Sequence, residues 1–226
     1  MAEIRTSYNG AIIDDATMDY LKTMNIIGKS YLISGSPQSA IKKLAEEIVS
    51  STPDGLLLVT LEKQLELEPQ CNAIRLWTDE QKGIKTLSEQ IDTLHNLRSD
   101  RIFVGTINDY DSATTFLECT HLNPTGSTIN APDCKSALDK ITDYIIEDGR
   151  FRRDLTYRTL IGNLHTIVHV QTYQQNDVTS VIVDEVIEIN SKGDSYTVMK
   201  FEQTDVDDQN VPIGEFVFFG PSEVGS

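Results

Sequence analysis

The sequence predicts an α/β fold with a mostly parallel central sheet flanked by helices, and three observations carry that expectation. Short apolar runs such as 56-LLLVTL-61 and 102-IFVGTI-107 suit strands covered on both faces. Segments with helical spacing alternate with them, which is the βα order of a parallel sheet. In the last quarter, strand-like segments follow one another with only polar turns between, which predicts a C-terminal antiparallel β extension.

Each element has its own signal. Residues 14 to 25 place Met18, Leu21 and Met24 on one side of a helix, with Asp14 or Asp15 available to cap it. Tyr31 to Ser34 reads as a strand. A helix over 39–50 sets Ile41, Leu44, Ala45 and Ile48 in the i, i+3, i+4, i+7 pattern. The turn 52-TPDG-55 leads into the run at 56–61, and 73-AIRLW-77 is a further short strand. Residues 84 to 97 align Ile84, Leu87, Ile91 and Leu94 on a helix face. The strand at 102–107 is followed by helices around 112–119 and 134–147. Segments 166–173, 178–189 and 196–203 are the antiparallel strands, with 190-NSKGD-194 as a turn. The expected organisation is a linker or strand remnant at 1–12, an α/β core at 13–165 and a β-rich extension of the same domain at 166–226.

Composition narrows the function classes. The 226 residues, 39% hydrophobic, suit one mid-sized domain, or one domain and a small appendage. With 35 acidic and 19 basic residues the net charge is -16, which argues against a dedicated nucleic-acid binder, because phosphate backbones demand a positive face. The start, MAEIRTSYNG, lacks a basic n-region followed by an apolar h-region. No apolar run approaches the roughly 20 residues that span a bilayer, so a cytoplasmic chain without an integral membrane segment is expected. Cys71, Cys119 and Cys134 fit neither a disulfide framework nor a CxxC metal site and are expected to be reduced structural thiols.

The stretch 33-ISGSPQSAIKKLAEEIV-49 has the rhythm of a phosphate-binding loop with the wrong chemistry. A working loop, G-x-x-x-x-G-K-[ST], needs glycines that let backbone N–H groups approach phosphate, a lysine on the β and γ phosphates, and a hydroxyl on magnesium. Here the eight positions are Gly35, Ser36, Pro37, Gln38, Ser39, Ala40, Ile41 and Lys42. Ala40 replaces the second glycine, Ile41 the lysine and Lys42 the hydroxyl residue, while Pro37 removes one N–H. Lys42 cannot substitute from the next position, because one residue is about 100° around a helix.

Together with the segments that follow it, this loop resembles the motor domain of the secretion ATPase superfamily, the RecA-like hexameric ATPases of type II and type IV secretion and of pilus assembly. The family's ISGGTGSGKTTLL is similar to 33-ISGSPQSAIKKLA-45. Its acidic TIEDTAEL, with a V-R-L strand after a short gap, resembles 60-TLEKQLEL-67 and 74-IRLW-77, which contain Glu62 and Arg75. LRxxPDRIIVGEIR, carrying the Walker B region, resembles 97-LRSDRIFVGTIND-109, which contains Arg98, Asp100, Gly105 and Thr106. TGH...TIHA matches 119-CTHLNPTGSTINAP-132 loosely, and the later strands match 167-IVHV-170 and 185-EVIEI-189. Residues 3-EIRTSYNG-10 resemble the last strand of the family's N-terminal domain and the linker. The resemblance runs from about residue 3 to residue 190 and implies a RecA-like P-loop NTPase fold.

Where the chain departs from the family, catalytic groups are lost. The Walker B glutamate falls at Thr106, the arginine after it at Asn108, and the histidine of TIHA at Asn130. Glu62 is kept, but the neighbouring acid is Lys63. His121 is the nearest match to the other histidine of that box, across a gap of one or two residues. Phosphoryl transfer rests on positioning and charge neutralisation, so losing lysine, hydroxyl and carboxylate together removes several independent contributions. The resemblance therefore implies a catalytically inactive pseudo-ATPase, a binding, scaffold or regulatory module of a secretion, conjugation or pilus machine. Its expected partners are proteins, another copy or an active secretion ATPase, at the periphery of a membrane machine; no nucleic acid, metal or other cofactor is expected. The alternative is a weakly active or nucleotide-sensing ATPase, with ATP and magnesium as cofactors, in which Lys42 or Lys43 replaces the missing lysine at a helix N-terminus that favours anions. A third reading is an unrelated α/β protein with an accidental likeness.

Other residues admit a functional and a plainer reading. Glu62 could orient a metal-bound water; a solvated strand-end carboxylate is preferred. His165 and His169 have i, i+4 spacing, which suits zinc on a helix, but on a strand they lie roughly 13 Å apart and read as structural. Arg150, Arg152, Arg153 and Arg158 could meet phosphates or a neighbouring subunit; a solvated face balancing 143-DYIIEDG-149 is preferred. Trp77 and 216-FVFF-219 read as core, with docking on a partner as the alternative for the latter.

Overall fold

A computed structural model of the chain describes residues 6–8, 11–63, 67–84, 86–175, 178–190, 192–206 and 212–221. Residues 64–66 of TLEKQLEL, residues 3–5, 9 and 10 of EIRTSYNG and residue 191 of the turn NSKGD lie outside the described residues. The strands are β1 (Thr6–Tyr8), β2 (Ala11–Ile13), β3 (Tyr31–Gly35), β4 (Leu58–Glu62), β5 (Ala73–Trp77), β6 (Arg101–Ile107), β7 (Thr125–Ile129), β8 (Thr166–Gln175), β9 (Val178–Ile189), β10 (Ser195–Val206) and β11 (Pro212–Phe218). The helices are α1 (Asp15–Ile26), α2 (Gln38–Val49), α3 (Ile91–Leu97), α4 (Tyr110–Leu122), α5 (Cys134–Ile146) and α6 (Arg153–Asn163).

All the described strands join one sheet in the order β1-β2-β9-β8-β3-β7-β6-β4-β5, with β10 on β9 and β11 on β10. From β8 to β5 every pairing is parallel. β8–β9, β9–β10 and β10–β11 are antiparallel, so the predicted α/β class with its C-terminal antiparallel part is what the chain adopts. β3 lies between β7 and β8, which puts the end of β3 in the middle of the carboxyl edge of the parallel strands, where α/β sheets place their ligands.

Strand alternation explains the two cores. Tyr31 and Ile33 of β3 face one cluster, with Met18 and Leu21 of α1 and Ile41 and Leu44 of α2. Leu32 faces the other, with Phe116 of α4 and Ala137 and Ile141 of α5. Each buried aliphatic or aromatic side chain contributes roughly 1.5–3 kcal/mol. Three aspartates start helices. Asp14 accepts from Thr17 N at 2.9 Å, Asp109 from Ser112 N at 2.9 Å and Asp133 from Ser136 N at 2.6 Å, each satisfying a first-turn donor.

Several expectations need correcting. The helix over 84–97 forms only from Ile91. Ile84 bridges Asp79 instead, and Ser88–Gln90 is a single 3-10 turn. The competing contacts are visible: Leu87 N is donated to Asp111 Oδ2 at 2.9 Å, and Gln90 Nε2 to Trp77 O at 3.2 Å. β4 begins at Leu58, because Leu57 N is given to the Asp100 carboxylate at 2.8 Å rather than to a strand. β7, α6 and β11 had no sequence signal of their own. β7 reads TGSTI yet all five residues are buried; Gly126 is required there, because a Cβ would sit 2.5 Å from the Tyr31 ring. In α6 only Thr156 and Leu160 are buried, too few for an apolar stripe.

Candidate nucleotide-loop site

The loop is built by the junction of β3 and α2. Gly35 has φ +123° and an added Cβ would lie 2.0 Å from Val170 O, so only glycine lets β3 run this close to β8. α2 starts at Gln38 with Pro37 as its N-cap and no side-chain cap bond. The eight loop positions therefore resolve into one strand residue, a two-residue connection and five helical residues, Gln38 to Lys42.

Accounting for the amides shows what this does. Ser36 N is donated to Val170 O at 3.3 Å, and Ala40 N and Ile41 N both go to Pro37 O, at 3.0 and 3.3 Å. Pro37 has no N–H to give. The Ile41 bond is the first regular bond of α2, and the amides of Gln38 and Ser39 at its start are given to no carbonyl among the described residues. Gln38 adds a closure of its own, donating from Nε2 to Thr106 Oγ1 at 2.6 Å and to Thr128 Oγ1 at 3.3 Å, with the two hydroxyls 3.1 Å apart. Thr106, where the resemblance sets the Walker B glutamate, is thus a neutral hydroxyl bound to the loop itself. Thr172 Oγ1 also bonds Ser36 O.

Ile41, where the resemblance sets the lysine, faces the core. Ile41 is 0% exposed and belongs to the core beside α1 and α2. Lys42 lies 4.0 Å from Glu46, one turn along α2, and Lys43 is exposed.

Glu62 is not the solvated carboxylate expected. It is 0% exposed, with Oε1 accepting from Thr60 Oγ1 at 2.6 Å and Oε2 from Leu67 N at 2.9 Å. Arg75 Nε stands 4.0 Å from it across β4–β5. A Cβ on Gly105 of β6 would meet Glu62 at an ordinary contact distance of 3.4 Å, so space alone does not require glycine there. The carboxylate ties the end of β4 to Leu67. Lys63 pairs with Asp109 and lies 3.9 Å from Asp111. Burial raises the Asp109 carboxyl, but its bonds to Lys63 and Ser112 prevail and hold it below the usual range.

The remaining family-matched positions do not gather at the loop. Asn130 is exposed after the carboxyl end of β7, its carbonyl accepting from Lys140 Nζ at 2.8 Å. His121, at the C-terminus of α4, is at the opposite, amino edge of the sheet, beside Asn163. Arg98 caps α3 with φ +52°, and Asp100 precedes β6 with its carboxylate on Leu57 N.

Behind the loop lies a pair the sequence did not connect. His169 is buried on β8, its Nδ1 2.9 Å from Ser34 Oγ on β3. A bulge between His169 and Val170 leaves Asp184 of β9 unopposed, with Oδ1 3.9 Å from His169 Nε2 and no hydrogen-bond partner among the described residues. Burial raises Asp184 to about 6, against the lowering influence of His169. His165 precedes β8 and bonds Thr166 instead. Among the described residues no group of three His, Cys, Asp or Glu is placed to hold a metal.

The basic cluster is a solvated ion-pair face: Arg150 with Asp148 at 3.0 Å, Arg152 with Asp154 at 2.9 Å, and Arg153 with Asp139 and Asp143. Trp77, expected in the core, ends the edge strand β5 and is 38% exposed with Lys82 above its ring. Of 216-FVFF-219, Phe216 packs on Phe201 at 5.0 Å, while Phe218 and Phe219 are exposed.

No protein-family model matches this sequence, and no curated protein does. Solved structures do. The VirB11 ATPase of the Brucella suis type IV secretion system, in complex with sulphate, matches with TM-score 0.66 and 16% identity over 76% of this chain and 51% of its own. The DotB ATPase of Legionella pneumophila matches with TM-score 0.60 and 12% identity, over 80% and 50% of the two chains. The pilus retraction motor PilT with bound ADP gives 0.57 and 14%, over 79% and 51%. The chain spans about half the length of these proteins. At these identities the likeness concerns the backbone: the chain has the fold shared by these secretion and pilus ATPases.

Proposed function

We propose that this chain is a catalytically inactive relative of the secretion and pilus-assembly ATPases, acting as a binding, scaffold or regulatory module of such a machine. One observation carries the reading: Gln38 Nε2 ties the loop to Thr106 and Thr128, so a neutral hydroxyl bonded to the loop stands where the resemblance sets the catalytic glutamate, and the Ser36 amide is spent on Val170. The chemistry of the neighbouring positions supports it. No lysine faces the loop from position 41, the Walker B position is Thr106, and Glu62 is committed to Thr60 and Leu67. The pairing of Lys42 with Glu46 opposes its use on a phosphate. Protein partners follow from this reading, either a second copy or an active ATPase of the same fold. Among the described residues no helix is long and apolar enough to cross a membrane, which is compatible with a place beside a membrane machine.

The test measures magnesium-dependent ATP turnover by the full chain, with mass by light scattering recorded with and without nucleotide. The expected result is background turnover and an unchanged mass. Turnover well above background that Glu62→Gln abolishes would contradict the proposal.

A further inference from the structure

Among the described residues β1 pairs only with β2, β5 only with β4 and β11 only with β10. Such an edge offers a row of main-chain groups to any strand that can lie beside it, and proteins usually blunt it with brevity, charge or proline. β1 has only three residues, and at β5 the Trp77 carbonyl is already taken by Gln90 Nε2 at 3.2 Å. β11 is longer, with Glu215 as its one charge and Pro212 only at its first position. Its register with β10 fixes which groups face outward. Phe219 N is donated to Val198 O at 2.8 Å, and Phe218 is paired with Met199, Val217 with Lys200, Phe216 with Phe201 and Glu215 with Glu202. Bonded and non-bonded positions alternate in an antiparallel pair, so Glu215 and Val217 are bonded to β10, while Gly214, Phe216 and Phe218 turn their N–H and C=O groups away from it.

The outward set is symmetric about Phe216. With the strand laid antiparallel to a copy of itself and Phe216 opposite Phe216, Gly214 falls opposite Phe218, and each of these residues exchanges both of its main-chain bonds with the other copy. The side chains agree with that register. Ile213, Glu215, Val217 and Phe219 share the other face of the strand, and Ile213 is 38% and Phe219 53% exposed. Self-pairing sets Ile213 opposite Phe219 of the second copy, and Glu215 opposite Val217, so no like charges meet directly across the new pair. Within one copy Glu215 stands beside Glu202 of β10. The second copy brings its Lys200 into the same row beyond its Val217, two strand spacings or roughly 10 Å from Glu215, a gap that a lysine and a glutamate side chain bridge between them. We propose that β11 pairs edge to edge with β11 of a second copy, giving a twofold-symmetric dimer through one continuous sheet. Of the proposed function this uses only the choice of a second copy as partner, so nucleotide turnover tests that reading and mass tests this one.

The experiment measures the mass of the full chain by sedimentation equilibrium across a concentration series, at an ionic strength that screens the net charge of -16 on each copy. The expected result is a mass that rises from 25.3 kDa and levels at twice that value. Val217→Glu places a carboxylate beside Lys200 within one copy but opposite Glu215 of the other, so the melting temperature holds while association weakens by about tenfold or more. Adding Glu215→Lys to that variant restores association, because unlike charges then stand opposite, an outcome specific to this register. Phe219→Ser, at an exposed position, removes the cover of Ile213 and is read in place of Val217→Glu if that variant melts early. A mass fixed at one chain, growth beyond two copies, association untouched by the single substitution, or a double variant no tighter than Val217→Glu alone overturns the proposal.

Discussion

Ile41 is one of several positions at which this loop departs from a working one, and we expect that a lysine placed there alone does not create nucleotide binding. The residue faces the core on α2, so Ile41→Lys buries an ammonium without a partner. We expect a loss of stability on the order of 3–5 kcal/mol by denaturant unfolding, with no gain in ATP affinity. Asp184 gives a pH-dependent outcome. Its folded pKa, about 6, is raised above the unfolded value, so its favourable contribution is present below pH 4 and lost as pH rises through 6. Asp184→Asn removes that loss. The variant should melt about 2–4 °C higher than the parent at pH 7.5, for a gain near 1 kcal/mol, and show no gain at pH 4. A gain of equal size at both pH values would contradict the assignment.

At the scale of elements, α4 shows how one cap carries two loads. Asp109 caps the helix through Ser112 and also pairs with Lys63, next to Glu62 after β4. Asp109→Ala should cost about 1–2 kcal/mol, the usual value of a cap together with a partly exposed ion pair, and Asp109→Asn less than about 1 kcal/mol because the cap survives. Denaturant midpoints of the two variants separate these contributions. The elements legible in the sequence were those with periodicity or apolar runs, α1, α2, α4, α5, β3, β4, β5, β6, β8, β9 and β10. Two misses depend on partners distant in sequence: β7 is polar and becomes buried because Tyr31 and Gly105 meet it, and the segment before α3 gives its amides to Asp111 rather than to a helix. The loop was legible as chemistry, since Ile41, Ala40 and Pro37 stand where lysine, glycine and a free amide are needed. Its closure was not. Gln38, Thr106 and Thr128 are brought together only by the order β3-β7-β6, which no local pattern encodes.

For the molecule as a whole, the sheet and its two cores surround a loop whose side chains are not those of a working phosphate loop. The ends of β3, β6 and β7 still converge where ligands bind in such sheets, but what converges is a hydrogen-bonded closure of amide and hydroxyl groups. A fold can keep its packing under these substitutions because the core contacts of α1, α2 and α4 lie behind the loop rather than in it. The most direct measurement is an NMR titration of magnesium ATP into the labelled full chain, reading the amides of residues 35 to 42 together with those of Thr106 and Thr128. A closed cradle predicts that these signals stay in place up to millimolar nucleotide. Saturable shifts centred on Gln38 and Ser39, with release of the Gln38 side-chain amide from Thr106, would contradict it and show a loop that opens to phosphate.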